Sequence, residues 1–569
     1  MVPPRARPKR IRPHTLPNLL IFGLLRRPRN VADSIHRAYV LHYWRQCRSV
    51  RDHLSVFKGF LLSPLRIARD IKAWSGKLGS AAASASGKAL WRQRLEQLYL
   101  SFFFSIDSEN YYLQEFYQDN GLKRARHFFV EKTLKAGVYR LLSSYGRYLH
   151  REEEICSLSR KLDFYKFCRE KGLSAVPVLM QFRGDGTISD LRQDPGRPGE
   201  LPEEDIFCKP NLDNRGRGAA LWFWKGAQGY VNPEGKALTA EALKSRLTAL
   251  ARRHRYKSFL VQPLVLPHPA LERFRIQATP TVRIITYTDL DGTNRADRAM
   301  LRFSISPGAI VDNASAGGAV APIDMETGVL GPAATGGSEQ ISRRLLSLDN
   351  GFRIEGHRIP YWKETLELVL RAHRFFLQHL VVGWDVIITE KGPLLLEGNS
   401  QPGVCFIQRA HLQPLGQTEA GRVMAAHSKN AIDILYSGQL DQGDGDETVD
   451  LFGGSRLRRW LSWLPGGNVR AVHLIISGKV QRVFYRRWLQ REAREKGLAG
   501  WVRNRFDGTV EAVVKGRAFD LEDLVRLAWS GPPRARVSSI EVNLYRGAVG
   551  RGFKILKSAE RGGSDDGKT

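Results

Sequence analysis

The chain has 569 residues, with 88 Lys and Arg against 57 Asp and Glu, and a formal net charge of +31. Hydrophobic residues make up 42% and aromatic residues 10%, which is ordinary for a globular protein with a sizeable core. A chain of this length is expected to form roughly three or four structural units. Its five scattered cysteines include no CxxC pair, which argues against a disulfide framework or a zinc site and fits a reducing cytosol.

The N-terminal region is strongly basic and mainly helical. Residues 1–14 are rich in Pro and Arg and predict a disordered basic tail, and residues 15–150 predict a helical basic region with helices over 31–48 and 89–104. The small residues of 75–87 predict a flexible linker between helices. Residues 1–100 hold 20 Lys and Arg against 4 Asp and Glu, so they contribute 20 − 4 = +16 to the net charge.

Such a charge permits nucleic acid, an anionic membrane surface or another polyanion as partner. No specific nucleic-acid motif accompanies it, so a solvated basic surface is favoured and an anionic membrane surface comes second. The apolar stretches 16–25 and 98–106 are shorter than the roughly 20 residues that a spanning helix needs. We expect a cytoplasmic protein, with peripheral contact to the inner face of a membrane left open.

The middle of the chain predicts a mixture of helices and strands. A helix is expected over 151–171, strands over 205–208, 219–224, 259–265, 281–288 and 299–305, and a second helix over 361–380. A β-hairpin follows, with strands 384–389 and 393–397. Because this alternation contains no strict βαβ repeat, it predicts an α+β fold rather than a doubly wound one. Residues 436–467 predict a linker.

Phosphate-binding residues are spread over this middle region. There is no Walker A sequence and no kinase catalytic loop. Lys209 ends a predicted strand and offers a point charge to a phosphate. Gly216 and Gly218 allow the following loop to close over phosphates with its backbone N–H groups. Arg283, on a strand, could stabilise a transferring phosphoryl group, or it could be an ordinary strand residue.

The hairpin carries a candidate metal site. Asp385 lies on its first strand, and Glu397 and Asn399 lie on and just after its second strand. Magnesium prefers hard oxygen ligands, and this set offers two carboxylates and an amide carbonyl. The hairpin can bring all three to one end of a sheet, so the sequence predicts a metal site there.

Together, segments 207–210, 211–218, 383–385 and 396–403 resemble the ATP-grasp ligases, most closely the sugar-transfer-associated ATP-grasp group. Segments 268–270, 282–284 and 312–318 add to this likeness, which covers about 150–435. The resemblance implies that Asp385, Glu397 and Asn399 hold magnesium ions that bridge the phosphates of ATP. It places adenine against strand 260–264, with Gln262 and Leu264 among the ATP-binding residues; Gln262 stands where glutamate is common. Arg283 and Asn313 then bind substrate or the transition state, although Asn313 and its neighbouring glycines could simply form a turn.

The C-terminal region contains a second phosphate-binding pattern. A strand over 472–476 leads into a loop whose N–H groups can turn inward to hold a phosphate, formed by Lys479, Val480, Gln481, Arg482 and Val483. Arg486 follows this loop, and its fork of donors suits phosphoryl oxygens. Asn504 follows an aromatic strand, where its amide can hold a water molecule.

This pattern resembles the acylphosphatases over about 468–558. The resemblance implies a ferredoxin-like α+β domain in which Arg486 binds the phosphoryl group and Asn504 orients the attacking water. Arg482 stands where most members carry glycine, and Tyr485 where most carry phenylalanine. A residue other than glycine in the loop leaves open a domain that kept the fold and lost the chemistry.

The two resemblances share a chemical intermediate. ATP-grasp ligases activate a carboxylate as an acyl phosphate, and acylphosphatases hydrolyse such an anhydride. The expected protein has domains at 15–150, 151–435 and 468–558, a tail at 559–569, and ATP and Mg²⁺ as cofactors. Its expected partner is a small-molecule carboxylate or acyl phosphate. The alternative is acylphosphatase activity only, with the ATP-grasp part a nucleotide-sensing basic adaptor in polysaccharide or membrane-associated assembly.

Overall fold

The structure is a computed structural model in which two compact units can be separated, residues 1–431 and residues 432–569. The parts of the chain that it describes are residues 28–46, 58–59, 61–150, 156–158, 160–192, 197–211, 218–253, 258–274, 278–305, 318–335, 340–349, 351–436, 469–481, 483–517, 521, 524–525, 527–528, 531–532, 534–545, 547–550, 552–556 and 558. The predicted tails 1–14 and 559–569 and the predicted linker 436–467 fall outside these ranges, apart from Tyr436.

The first unit begins with the predicted helical region. Its helices are α1 (Val31–Gln46), α2 (Ser63–Ser86), α3 (Leu90–Phe104), α4 (Ser108–Leu113), α5 (Gly121–Ala125), α6 (Glu131–Thr133) and α7 (Tyr139–Leu149). A π-helical turn, Leu134–Val138, joins the last two. The hydrophobic core that α2 to α5 enclose is rich in aromatic residues, among them Tyr111, Tyr112 and Phe116.

The flexible linker predicted over 75–87 is wrong, because these residues form the second half of α2. Alanine has the highest helix propensity, so a run of small residues does not by itself break a helix. Small residues also allow close packing: a Cβ atom added to Gly79 would lie 2.4 Å from Leu90 Cδ1 at the start of α3. The helix ends instead at Gly87, whose left-handed backbone (φ +67°) forms the C-cap.

The helices predicted over 151–171 and 361–380 are both shorter in the structure. The first is α8 (Lys161–Glu170), and residues 156–158 before it are not helical. The remaining chain of this unit adds α9 (Ala240–Arg253), α10 (Trp362–His373), α11 (Cys405–His411) and most of α12 (Glu419–Tyr436), whose last turn passes the boundary at residue 431. α10 ends seven residues before Leu380 because the chain turns there, with Phe376 N donating to His373 O at 3.0 Å. Periodicity located both helices and overestimated their lengths.

Two seven-stranded sheets form the rest of the first unit. The first has the order β2-β1-β7-β3-β4-β5-β6 and consists of β1 (Met180–Arg183), β2 (Ile188–Asp190), β3 (Ile206–Pro210), β4 (Ala220–Trp224), β5 (Tyr230–Val231), β6 (Ala237–Leu238) and β7 (Ser258–Pro263). Helix α9 covers this sheet with Leu243, Leu247 and Ala251, which share one helical face and pack among strand residues such as Met180 and Val261.

The second sheet has the order β12-β11-β10-β9-β8-β13-β14. Its strands are β8 (Thr281–Thr288), β9 (Asn294–Phe303), β10 (Ala319–Ile323), β11 (Ala333–Ala334), β12 (Arg344–Leu345), β13 (Val381–Thr389) and β14 (Gly392–Asn399). Trp384 on β13 is fully buried against Phe376, and its indole Nε1 donates to Thr286 Oγ1 at 2.8 Å. The predicted hairpin is therefore the pair β13–β14, at the edge of this sheet.

The second unit has a five-stranded sheet of order β18-β15-β17-β16-β19. Its elements are β15 (Val469–Lys479), α13 (Tyr485–Glu495), β16 (Ala499–Asn504), β17 (Val510–Arg517), β18 (Arg536–Leu544) and β19 (Phe553–Ile555), with helical residues among 521–528. Tyr485 and Leu489 of α13 pack against Ile476 and Val502 of the sheet. This is a ferredoxin-like arrangement, and the predicted α+β fold class is confirmed.

None of the helices in the described part of the chain is long and apolar enough to cross a membrane. The domain boundaries derived from the sequence remain a prediction.

Gly500 is expected to be essential for the stability of the second unit. It lies on β16 with φ +144°, and an added Cβ would lie 2.0 Å from Val513 O of the neighbouring strand. Gly500→Ala should therefore lower the free energy of unfolding of residues 465–560 by about 2 kcal/mol or more, since the strands cannot separate without losing hydrogen bonds. Urea denaturation measures this change.

Gly508→Ala is the matched control. Gly508 also has a positive φ (+87°), but an added Cβ would meet no atom within 4 Å. This substitution should cost only about 1 kcal/mol, from backbone strain alone. Equal losses in the two variants would show that the contact with Val513 is not the cause.

Candidate active sites

A buried carboxylate on β13 organises the second sheet of the first unit. Asp385 stands opposite Glu397 on β14 and opposite Arg283 on β8. Arg283 donates to both carboxylate oxygens of Asp385, with Nη2 2.7 Å from Oδ2, and Arg302 Nη1 on β9 lies 3.2 Å from each oxygen. Burial alone would raise the pKa of Asp385, but the charges of Arg283 and Arg302 more than offset it and hold the pKa below its usual value. Asp385 is therefore ionised.

A lysine from the first sheet joins this cluster. Lys209 on β3 is buried, and burial lowers its pKa to about 8, although the charges of Glu397 and Asp385 act in the opposite direction. Lys161, at the start of α8, lowers the pKa of Lys209 further. The two sheets thus bring Lys209, Asp385, Glu397 and Arg283 into one electrostatic cluster.

Asn399 completes the predicted metal set. Its Nδ2 donates to Gly383 O at 3.3 Å and to Glu397 Oε1 at 3.4 Å, so the three proposed ligands lie at one end of the β13–β14 hairpin. In the described part of the chain, no group of three or more His, Cys, Asp or Glu side chains could hold a metal. Two carboxylates and an amide still fit magnesium, which commonly binds through one or two carboxylates together with water and phosphate oxygens.

Two other predicted ATP-binding residues, Gln262 and Leu264, form hydrogen bonds with the protein backbone. Gln262 is buried on β7, and its Nε2 donates to Pro177 O at 3.1 Å and Val176 O at 3.4 Å, so this amide holds the segment before β1 in place. Leu264 N donates to Asp205 O at 2.8 Å. Gly218 has φ +74° and borders the predicted phosphate loop. Gly216 and Asn313 lie outside the described residues.

Side chains of the helical region form hydrogen bonds with the loop that follows Asn399. The sequence did not predict these contacts. Glu131 Oε2 accepts from Cys405 N at 2.9 Å, and Tyr139 Oη donates to Pro402 O at 2.8 Å. A Cβ added to Gly403 would lie 3.5 Å from Glu131 Oε2. Since more than 260 residues separate these partners in the chain, local pattern could not have found them. Arg302 was also missed, because an arginine on a strand carries no distinguishing signal.

The second unit contains a cavity of about 270 Å³ beside the predicted phosphate loop. Arg486 and Asn504 both line it, together with Val480, Gln481, Phe484, Tyr485 and Arg487. Arg486 comes from the first turn of α13 and Asn504 from the last residue of β16. The structure thus places a guanidinium and a neutral amide around one space large enough for a phosphoryl group.

Gln481 ties the phosphate loop to the turn after Asn504. Its Nε2 donates to Arg505 O at 2.7 Å and to Thr509 O at 2.8 Å. These two bonds fix the loop relative to the β16–β17 turn, and so they fix the distance between the two halves of the site. Gln481 therefore acts by holding the site together as well as lining it.

The N-terminus of α13 opens onto the same cavity. Phe484 at its N-cap has φ +63° and forms no side-chain hydrogen bond to the first turn. The Phe484 side chain therefore caps none of the N–H groups of this turn, and a helix N-terminus favours an anion. Of the other predicted loop residues, Lys479 is exposed, Val483 is buried in the core, and Arg482 lies outside the described residues.

Comparison with known proteins finds a matching family for each of the two regions. Residues 140–419 match the sugar-transfer associated ATP-grasp family, and residues 472–555 match the acylphosphatase family. The chain is 47% identical over 85 residues to an acylphosphatase from Pelotomaculum thermopropionicum, covering 15% of this chain and 91% of that protein. It is 49% identical over 92 residues to an acylphosphatase from Azoarcus sp., covering 16% of this chain and 94% of that protein.

A solved acylphosphatase structure from Coxiella burnetii is 35% identical, covers 16% of this chain and 94% of that protein, and has a TM-score of 0.15. The predicted likeness to both families is confirmed by the two family matches, and the acylphosphatase relatives are covered almost completely.

Binding of magnesium–ATP to the full chain is expected to weaken with rising pH, because of Lys209. Its ammonium loses a proton with a pKa of about 8, and a phosphate favours the charged form. The affinity should therefore be about ten-fold lower at pH 9 than at pH 7.5, since binding above the free pKa requires proton uptake. Calorimetric titration at the two pH values measures this difference.

Lys209→Arg provides the control, because a guanidinium stays charged throughout this range. Its affinity should change little between the two pH values, whereas Lys209→Gln should bind weakly at both. If Lys209→Arg showed the same pH dependence as the wild type, another group would be responsible.

Proposed function

Since the chain belongs to the acylphosphatase family through residues 472–555, we propose that its second unit hydrolyses acyl phosphates to a carboxylate and inorganic phosphate. The observation that carries this proposal is the cavity shared by Arg486 and Asn504. An acyl phosphate needs a cationic fork for its phosphoryl oxygens and a polar group that positions water, and these two side chains supply both.

The proposed reaction follows from that geometry. Arg486 and the first-turn N–H groups of α13 bind the phosphoryl oxygens, where negative charge concentrates in the transition state. Asn504 holds a water molecule by hydrogen bonds in line with the bond that breaks. The water oxygen attacks phosphorus, the P–O bond to the acyl group breaks, and the electron pair leaves with the carboxylate. A proton from the water passes to solvent.

For residues 140–419 we propose an ATP-dependent ligase-type activity that activates a carboxylate. Lys209, Arg283 and Arg302 supply positive charge for the phosphates of ATP and for the transferring phosphoryl group. Asp385, Glu397 and Asn399 would hold magnesium, which neutralises phosphate charge when bound. The carboxylate oxygen attacks the γ-phosphorus, ADP leaves, and an acyl phosphate forms.

This acyl phosphate is the class of compound that the second unit would hydrolyse. We propose that one chain makes and removes the same kind of anhydride, either to clear an intermediate that lacks its acceptor or to edit a wrong one. A covalent link raises the local concentration of the second site for a product released by the first. The retention of Asp385, Glu397 and Asn399 as a group favours a ligase over a nucleotide-sensing adaptor.

Arg486 is expected to be required for acyl phosphate hydrolysis. Arg486→Ala in residues 465–560 should lower kcat/KM by about a hundred-fold or more, roughly 3 kcal/mol, because the anchor for transition-state charge is lost. Hydrolysis of a simple acyl phosphate, followed by phosphate release, measures the effect.

Arg491→Ala is the matched control for Arg486→Ala. Arg491 lies farther along the same helix, is largely exposed and pairs with Glu492, so its loss removes the same charge outside the cavity. Its activity should stay within about two-fold of wild type. If the wild-type second unit were inactive, the fold would be present without the hydrolytic activity. Arg482→Gly would then be the first substitution to test for restored activity.

The coupling of the two activities predicts futile ATP hydrolysis. With a suitable carboxylate and no acceptor, the full chain should release phosphate from ATP continuously, because each acyl phosphate is hydrolysed. Asn504→Ala should suppress this turnover by about ten-fold or more and leave ATP affinity unchanged, since it disturbs only the positioning of water. Phosphate release with a panel of carboxylates, with and without the substitution, measures it. Equal release from both proteins would separate the two activities.

A further inference from the structure

The α2–α3 hairpin presents large apolar side chains to solvent. On α3, Trp91 is 64% exposed, Leu95 56% and Leu98 45%. Their spacing of four and three residues places them within one narrow stripe of the helix. At the other end of the hairpin, Leu62, the N-cap residue of α2, is 44% exposed, and Leu65 in the first turn of α2 is 61% exposed. Exposed side chains of this size in one hairpin are unusual for a surface that only faces water.

The opposite faces of both helices are buried in the same core. Tyr112 of α4 lies between them, with its Oη 3.4 Å from Ser75 Oγ of α2 and 3.0 Å from Gln93 Oε1 of α3. Gln97 Nε2 of α3 donates to Ser75 Oγ at 3.2 Å. On α3, Trp91, Leu95 and Leu98 lie on the side opposite Gln93 and Gln97. On α2, the exposed residues recur at heptad spacing along one side of the helix. We call these exposed residues, Leu62, Leu65, Arg69, Lys72, Trp91, Arg94, Leu95 and Leu98, the hairpin face.

The charge exposed on this hairpin has one sign. Residues 58–104 contain eight Lys and Arg and only two acidic residues, Asp70 and Glu96. Asp70 accepts from Ser108 N at 2.9 Å, and Glu96 is buried, paired with Lys88 at 2.9 Å and accepting from Tyr111 Oη. Arg69, Lys72 and Arg94 are exposed beside the apolar residues. The hairpin face is therefore apolar and cationic, and both acids of this segment are engaged inside the unit.

We propose that the hairpin face docks on an anionic lipid surface, with Trp91, Leu95 and Leu98 entering the boundary between headgroups and acyl chains and the exposed cations contacting lipid phosphates. A helix with Trp and Leu on one side and Arg or Lys beside them binds in the plane of such a boundary. Cations near an anionic leaflet add attraction that salt weakens. The site would hold this surface of the protein at the membrane.

Lipid explains both components of the surface. A nucleic acid or a polyanionic polysaccharide would satisfy Arg69, Lys72 and Arg94, but it offers no apolar phase in which Leu95 and Leu98 could be buried. A purely hydrophobic protein partner would leave the cations without counter-charges. The combination of an apolar stripe with flanking cations is what an anionic bilayer complements.

Vesicle sedimentation with the full-length chain tests this proposal. Vesicles of phosphatidylcholine with one quarter phosphatidylglycerol should bind the protein at least ten-fold more strongly than pure phosphatidylcholine vesicles, and 0.5 M NaCl should remove most of the difference. A triple variant, Trp91→Gln with Leu95→Gln and Leu98→Gln, should lose at least ten-fold in partitioning to the anionic vesicles. A second variant, Arg69→Gln with Lys72→Gln and Arg94→Gln, should bind both vesicle types alike.

Matched controls separate this site from general effects of charge and apolar exposure. Leu290→Gln removes an exposed leucine (58%) from the β8–β9 turn, and Lys225→Gln with Lys236→Gln and Lys363→Gln removes three exposed cations elsewhere. These controls should sediment like the wild type, and circular dichroism with urea denaturation should confirm that the first unit of every variant is folded. The proposal would be overturned if the wild-type protein did not sediment with anionic vesicles, or if the hairpin-face variants sedimented with them as the wild type does. Binding of a polyanion such as heparin without vesicle binding would overturn it as well.

Discussion

The first unit depends on how it neutralises one buried carboxylate. A charge inside a protein costs several kcal/mol unless partners surround it, and removing a partner from such a group typically costs about 3–5 kcal/mol. Asp385 is nearly inaccessible, and Arg283 and Arg302 are the cations that bond to it. Since these three side chains lie on β13, β8 and β9, the ion pairs hold three neighbouring strands in one register. A slip of one residue would turn Asp385 away from both guanidiniums.

This neutralisation leaves an excess of positive charge. Among the described residues of the cluster, Lys209, Lys161, Arg283 and Arg302 are cations, and Asp385 and Glu397 are anions. The fall in the pKa of Lys209 to about 8 shows that the two carboxylates do not compensate its burial. A polyphosphate would restore the balance, and magnesium beside it would satisfy the carboxylates while the arginines turn to phosphate oxygens. The cluster is thus organised before any ligand arrives, as electrostatic stabilisation requires.

Sequence patterns predicted the strands and turns whose structure depends on residues close together in the chain. Strand β8 was predicted with the bounds that the structure has, and the hairpin β13–β14 was located by its turn residues. The loop before Arg486 was located by its likeness to the acylphosphatases. The linker predicted over 75–87 failed because composition does not show that Gly79 packs against Leu90. The roles of Arg302, and of Glu131 and Tyr139 beside the loop after Asn399, depend on contacts between distant segments. Such contacts follow from the complete fold and carry no local signature.

The two proposed sites bind phosphate by different physical means, and their demands on the fold differ accordingly. In the first unit, charged side chains are buried between sheets, so their pKa values and ion pairs must be balanced before the ligand binds. In the second unit, a loop and the start of α13 offer backbone N–H groups, with Arg486 as the charged group. Backbone donors need no counter-charge, so this site can be small and open to water, which is itself the second reactant. A ligase-type site must instead keep water away from its acyl phosphate, because water competes with the acceptor. Separate units allow both conditions within one chain.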